Sequence, residues 1–437
     1  MAQQSTLPHS RFGRFARLGG LATSLAGSVI YEGGKNLLSG NKPVISDLVM
    51  SPKNAGRISE KLSEMRGAAM KVGQLLSMDV GYLLPKEVSE VFSSLRNDAH
   101  QMPMMQVANI LDDGLGQNWK NQFKRFAFNP IASASIGQVH SAELKNGKQV
   151  AIKLQYPGVR ESIDSDINNI AMMLNLFRMI PQDVDIAPLI EDARRQLHAE
   201  ADYVSEAAFL NEFRENIADD ERFELPEVIE ALSNDKILTT TFMEGIVIDK
   251  LYDKPADIRQ RVSSALLELA LKEVFSFGLV QTDSNFANYL FSETTGKIQL
   301  LDFGATRRYP SSSCDNFMQL LKACIESDEE TVLKYAIAIG YTSADDESSY
   351  QSAIVELIMT VTMPIRHDGA FDFRHSQLSQ LMMEKLMKLR FEQRYTRLPP
   401  TDILFLHRKL GGLYLLLSHL GARVNVKQLV HDTLLRS

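Results

Sequence analysis

A chain of 437 residues is long enough to bury a large core and to divide into two or more folding units. Its 44% apolar and 23% charged residues exclude wholesale disorder, and a formal charge of −7 argues against a nucleic-acid binder that relies on a broad basic surface. The two cysteines, Cys314 and Cys324, have neither metal-ligand spacing nor a CxxC pattern, so both read as structural thiols in a reduced, intracellular compartment.

The N-terminus departs from this ordinary composition. No acidic residue occurs from Met1 to Tyr31, and Arg11, Arg14 and Arg17 recur every three residues ahead of an apolar, small-residue run, Leu18–Tyr31. At fourteen residues that run is too short to span a bilayer. Its Arg-rich, acid-poor character resembles a transit peptide, and a helix lying on an anionic membrane surface is the sharper reading. A basic tail packed on the domain is the plainer one. Residues 1–45 are therefore set apart as a basic, membrane-associating segment.

A helical pattern follows. Ile58, Leu62, Met65, Ala69, Val72 and Leu76 form one apolar stripe, while Lys71 and Gln74 sit together on the opposite side. Taken alone, that side reads as a solvated face. Residues 100–127 read as further helix and connection. From Phe128 the pattern changes to short strands, Gln138–Leu144 and Lys148–Gln155, joined at Asn146-Gly147, a two-residue hairpin signal. The second strand carries Val150-Ala151-Ile152-Lys153. The loop ahead of the first strand is Ala132-Ser133-Ala134-Ser135-Ile136-Gly137, with alanines and serines where a kinase has glycines that let backbone amides approach phosphates.

One long acidic helix is predicted from Ile186 to Phe213. A kinase needs a helix glutamate to hold its strand lysine, and two candidates exist, Glu200 and Glu206. On one helix they would lie about 9 Å apart along the axis and about 120° apart around it, so they could serve two lysines, Lys153 and Lys71. The β-rich run Lys236–Met243 sits where a kinase hinge offers backbone groups to adenine, which places Met243 among the nucleotide-binding candidates. An apolar helix, Ala265–Phe277, stopped by Gly278, leads into Gln281-Thr282-Asp283.

Asp283, Asn288 five residues later, and Asp302 in Leu301-Asp302-Phe303-Gly304 repeat the order of a kinase catalytic loop and its metal-binding Asp. Asp283 can orient or deprotonate an acceptor hydroxyl, and Asn288 and Asp302 can ligate Mg²⁺ through oxygen. A hairpin near Thr295-Gly296 separates the two runs. The usual His-Arg before the catalytic Asp is replaced by Gln281-Thr282, and no Ala-Pro-Glu follows Gly304. The remainder reads as helices around 316–340, 347–363, 376–392 and 401–420. Phosphoryl-transfer machinery is present without an obvious platform for a protein substrate.

These residues resemble the UbiB/AarF family of atypical kinase-like proteins, and specifically its ubiquinone-biosynthesis branch. The resemblance runs from about Arg11 to the last helices. It rests on Lys71-Val72-Gly73-Gln74 as the KxGQ motif, the Ala-rich loop, the strand ending at Lys153, Glu200-Ala201-Asp202 as the ExD motif, and the catalytic and Asp-Phe-Gly runs. It implies an α+β, protein-kinase-like two-lobe fold with a helical N-terminal extension packed over the active site. The expected divisions are 46–127 for the KxGQ extension, 128–245 for the smaller lobe and 246–437 for the helical lobe. Lys71 is expected to pair with Glu200, leaving Glu206 for Lys153, and Gln74 and Asp202 join the nucleotide-binding set.

The resemblance further implies ATP or ADP and Mg²⁺ as cofactors. It implies ATPase activity stimulated by membranes or lipid-like precursors, and peripheral association with an inner membrane. Expected partners are membrane lipids, ubiquinone precursors, enzymes of ubiquinone biosynthesis and a second copy of the chain, with no nucleic acid. Without a long leader, the chain reads as a bacterial member on the cytoplasmic face, with the mitochondrial matrix face as the alternative. A small-molecule or lipid kinase and a nucleotide-binding pseudokinase scaffold are the competing functions.

Overall fold

A computed structural model describes residues 62, 65–79, 101–176, 186–283, 285–391 and 399–435. The basic segment 1–45 and Ile58 of the apolar stripe lie outside the described residues. The chain forms two compact units, one made of residues up to Ala208 with Glu227–Phe242, the other of Phe209–Pro226 with Met243–Ser437.

The first unit is built on an antiparallel sheet. Strands β1 (Phe123–Phe126), β3 (Gly137–Leu144), β4 (Gln149–Gln155) and β6 (Ile237–Thr241) lie in that order, with the short β2 (Ala132–Ser133) paired to β3. On β4 the two-residue period sends Val150, Ile152 and Leu154 to one face, all fully buried, and Ala151 and Lys153 to the other. Each of those three aliphatic side chains contributes roughly 1.5–3 kcal/mol by leaving water. They meet helix α2 (Met104–Leu115) through Val107 and Leu111, one turn apart, together with Trp119 and Phe123. Residues 100–127 thus include a sheet strand as well as helix, because Phe123 and Phe126 pair with Leu144 and Ala142.

The β3–β4 hairpin forms where Asn146-Gly147 places it, but through a three-residue connection. Leu144 pairs with Lys148 through its N–H, Gly147 donates to the Leu144 carbonyl, and only Gly147 takes positive φ, at 85°. A two-residue type I′ turn would need positive φ at Asn146 as well. Gly137 opens β3 under tighter constraint: a Cβ there would lie 2.2 Å from the Leu154 carbonyl oxygen and 3.1 Å from the Tyr203 hydroxyl. Gly137→Ala is expected to lower stability by about 1–3 kcal/mol, the range for overpacking. A thermal melt checks this, and an unchanged midpoint would refute it.

Three helices complete the unit's apolar core: α1 (Arg66–Asp79), α3 (Val159–Leu176) and α4 (Ala187–Glu200), with α1 packed on both others. Leu62, Met65, Ala69 and Val72 of the stripe are buried. Lys71, on the opposite side, is not solvated: it is only 4% exposed. The long helix expected over 186–213 is two helices, α4 and α5 (Tyr203–Asn216), broken at Ala201-Asp202. Asp202 stops the run by capping α5, its carboxylate accepting from the Ser205 N–H at 3.1 Å and hydroxyl at 2.8 Å.

In the second unit a mixed sheet orders β5 (Phe223–Glu224), β10 (Ile298–Leu300), β9 (Tyr289–Phe291) and β7 (Ile246–Val247). Helix α6 (Ala256–Lys272) continues as a π-helical turn, Glu273–Phe277, which ends at Gly278 in the left-handed region. The chain then enters β8 (Leu279–Gln281), which pairs with β11 (Thr306–Arg308). The helices that follow include α7 (Ser311–Glu326), α8 (Glu329–Ile339), α9 (Ser348–Val361), α10 (Met363–Arg366), α11 (Leu378–Phe391) and α12 (Thr401–Leu420). The run expected as one helix over 316–340 is split between α7 and α8, where Ser327 turns left-handed and Asp328 caps α8 through the Thr331 N–H.

Candidate functional site

In the first unit the strand register brings Lys153 opposite Val139 on β3 and Leu238 on β6. Its ammonium reaches both Glu206 oxygens at 2.9 Å and lies 5.1 Å from the centre of the Tyr203 ring. Glu206 is 3% exposed, so this pair is held away from bulk water. The helix break makes the arrangement possible. With Asp202 starting a new helix, Glu206 faces β4 while Glu200 remains on the last turn of α4.

Glu200 takes the other lysine. Its carboxylate pairs with Lys71 from α1 and also accepts the Ser135 hydroxyl from the Ala-rich loop. Helix and loop meet closely at Gly67, where a Cβ would stand 3.0 Å from the Ser135 carbonyl oxygen. Gln74 lies on the same helix as Lys71. Ala132 and Ser133 form exposed β2, Ala134 donates its N–H to the Gly137 carbonyl across the turn, and Ile136 is buried. Asp202, expected among the nucleotide-binding residues, directs both oxygens to Ser205 as a helix cap.

In the second unit Met243 lies half-buried in the irregular stretch ahead of β7. Asp283 accepts the Asn285 N–H at 3.2 Å and the Asn288 side-chain amide at 2.7 Å. That contact leaves the Asn288 amide oxygen as the donor suited to a metal. Asp302 accepts the Gly304 N–H at 2.9 Å, and Asn288 and Asp302 line one small cavity with Glu273, Gln281, Tyr289, Leu300 and Phe303.

Among the described residues no group of three His, Cys, Asp or Glu side chains converges to hold a metal. An amide oxygen and a carboxylate lining one cavity fit Mg²⁺ all the same, since that ion takes one or two protein ligands and completes its shell with phosphate oxygens and water.

Two residues carry more than the sequence pattern revealed. Gln281 and Thr282, which replace His-Arg, pin the Asp-Phe-Gly segment by its backbone: Gln281 donates to the Asp302 carbonyl at 3.3 Å and the Thr282 hydroxyl to that of Ala305 at 2.6 Å. The polar pair ahead of Asp283 was the available signal. Phe303 is buried against Phe213, with ring centres 4.9 Å apart.

A strand lysine held by a helix glutamate, an Asp–Asn catalytic loop and an anchored Asp-Phe-Gly, on two units of mixed helix and sheet, define an α+β, kinase-like protein. The ABC1 atypical kinase-like domain matches residues 94–336. The chain belongs to this family of kinase-like enzymes, the UbiB/AarF group, in its ubiquinone-biosynthesis branch. It is 37% identical over 98% of its length to "Atypical kinase COQ8, mitochondrial" of Saccharomyces cerevisiae, covering 86% of that protein. It is 34% identical over 99% of its length to "Atypical kinase COQ8B, mitochondrial" of Danio rerio, covering 69% of that one. Among solved structures, the Rv3197–erythromycin complex from Mycobacterium tuberculosis aligns over 87% of this chain and 96% of that one, with a TM-score of 0.60 and 26% identity. A kinase-like fold suggests nucleotide binding.

Proposed function

We propose that this protein binds ATP with Mg²⁺ and cleaves or transfers its γ-phosphoryl group in support of ubiquinone biosynthesis, working at a membrane surface on lipid-like precursors or on the biosynthetic enzymes. The observation that carries the reading is the pairing of Lys153 on β4 with the buried Glu206 carboxylate of α5. A lysine fixed in this way presents its ammonium to the α- and β-phosphates. Residues 132–137 form the loop over those phosphates, and Met243 belongs to the stretch that meets the adenine.

Asn288 and Asp302 would hold Mg²⁺, which supplies charge neutralisation at the phosphates when bound. Asp283 orients the attacking hydroxyl or water and accepts its proton as the new O–P bond forms and the bond to the β-phosphate oxygen breaks. Helix α1, held by Lys71 to Glu200, belongs to an extension that takes the place of a peptide-docking platform. The expected divisions, 46–127, 128–245 and 246–437, follow the same reading.

No described helix is long and apolar enough to cross a membrane, and a peripheral location is proposed. The relatives named as mitochondrial support a mitochondrial location over a bacterial one, and the matrix face of the inner membrane is the side proposed. The test is phosphate release with Mg²⁺, with and without anionic liposomes and a quinone-like phenol. Asp283→Asn is expected to lower the rate about 10²- to 10⁴-fold, the span of a lost general base. Equal rates for wild type and variant would end the proposal. A phosphorylated lipid in the reaction would instead mark a lipid kinase, and nucleotide binding without turnover a scaffold.

A further inference from the structure

Far from the recognised motifs in sequence, α12 carries a buried lysine. Lys409 is 5% exposed and directs its ammonium to three acceptors at once. These are a Glu273 oxygen at 3.2 Å, the Tyr289 hydroxyl at 3.0 Å and the Gln281 side-chain oxygen at 3.4 Å. The Tyr289 hydroxyl, accepting from Lys409, donates onward to the same Gln281 oxygen at 2.9 Å. Every donor of the ammonium is therefore used, and the Gln281 oxygen receives two.

The consequence lies at the other end of Gln281. A glutamine amide can turn over and exchange its oxygen for its nitrogen. Two donors on the oxygen forbid that exchange, because a turned amide would oppose N–H groups to an ammonium and a hydroxyl. The Gln281 nitrogen is thereby kept on the Asp302 carbonyl, at 3.3 Å. Glu273, Gln281 and Tyr289 line the cavity that Asn288 and Asp302 share, so the network stands directly behind the two oxygen donors.

We propose that Lys409 is a positioning residue for Mg²⁺: through Gln281 it holds the Asp302 peptide, and with it the carboxylate, in the geometry that binds the metal–nucleotide complex. This rests on the reading of Asp302 and Asn288 as the metal ligands. Burial works against the ammonium, yet Glu273 and Tyr289 raise the Lys409 pKa above the ordinary lysine value, so the donor remains charged. A lysine that only tied α12 to the fold would need Glu273 alone; the contacts to Gln281 and Tyr289 give it a second duty.

The test reads metal dependence and not activity. Binding of a fluorescent ATP analogue is titrated with Mg²⁺ in wild type, Asp302→Asn, Gln281→Leu and the double variant Lys409→Met with Glu273→Gln. The double variant removes the ammonium without stranding a buried carboxylate, and Gln281→Leu cuts the link to Asp302 while the lysine–glutamate pair remains. Both are expected to raise the half-saturating Mg²⁺ at least tenfold, with metal-free nucleotide binding unchanged.

A folded Gln281→Leu protein with wild-type Mg²⁺ dependence would overturn the proposal, even if the double variant failed to fold. So would a folded double variant with wild-type dependence. Failure of the underlying reading has a different signature: wild type shows no Mg²⁺-dependent binding, or Asp302→Asn leaves that dependence intact.

Discussion

Lys153→Met is expected to abolish the thermal stabilisation that nucleotide gives the wild-type protein and to lower the melting temperature of the nucleotide-free protein. The two losses have different origins. The first follows from removing the ammonium that meets the phosphates. The second comes from Glu206, 3% exposed, which would lose the cation 2.9 Å from both its oxygens. Taking one partner from a buried ion pair costs about 3–5 kcal/mol, because the remaining charge is still kept from water. Lys153→Met with Glu206→Leu, which replaces the pair by apolar side chains, should regain most of the stability and none of the nucleotide effect. Calorimetry with and without ATP and Mg²⁺ reads both quantities. If the single variant kept a nucleotide-dependent shift, Lys153 would not be the phosphate ligand.

The second large effect is expected at Lys71. Its buried side chain joins α1 to α4 through Glu200, and Lys71→Ala should cost about 3 kcal/mol by the same reasoning. The loss should be local. Helix α1 should become the first segment cut in limited proteolysis, while β4 and β6 stay protected. With the extension loosened, labelled ATP is expected to yield a phosphorylated protein that wild type does not form. Ser135→Ala, which removes only one hydrogen bond to Glu200, should cost about 1 kcal/mol and leave α1 protected. Wild-type proteolysis of Lys71→Ala and the absence of any labelled protein would refute the role of α1 as a cover.

Much of this was legible in the chain. The strand-like run Lys148–Gln155 disclosed the element that carries Lys153, and Asn146-Gly147 marked the reversal before it. The five-residue step from Asp283 to Asn288 and the Asp-Phe-Gly at Asp302 stood out because each is short and local. What escaped depended on partners distant in sequence. Ala201-Asp202 contains neither glycine nor proline, so helical periodicity runs through it, and only the bond from Ser205 reveals the cap.

Lys71 has a charge that favours a solvated face, and its burial is decided by Glu200, 129 positions further along. The correct pairing of the two lysines with the two glutamates came from the family resemblance, since arithmetic on one unbroken helix could not choose between them. Lys409 had no motif to announce it. Its neighbours Glu273, Gln281 and Tyr289 come from three separate elements that only folding gathers.

Glu200 accepts from Ser135 and Lys71 with one carboxylate, and a shared acceptor has a thermodynamic corollary. A ligand that shifts the Ala-rich loop must alter the free energy with which α1 is held. By linkage, anything that engages α1 from outside must then alter the affinity for that ligand by the same factor. Nucleotide affinity measured in the presence of an α1 ligand, and the affinity of that ligand measured with nucleotide, should therefore change in equal ratio.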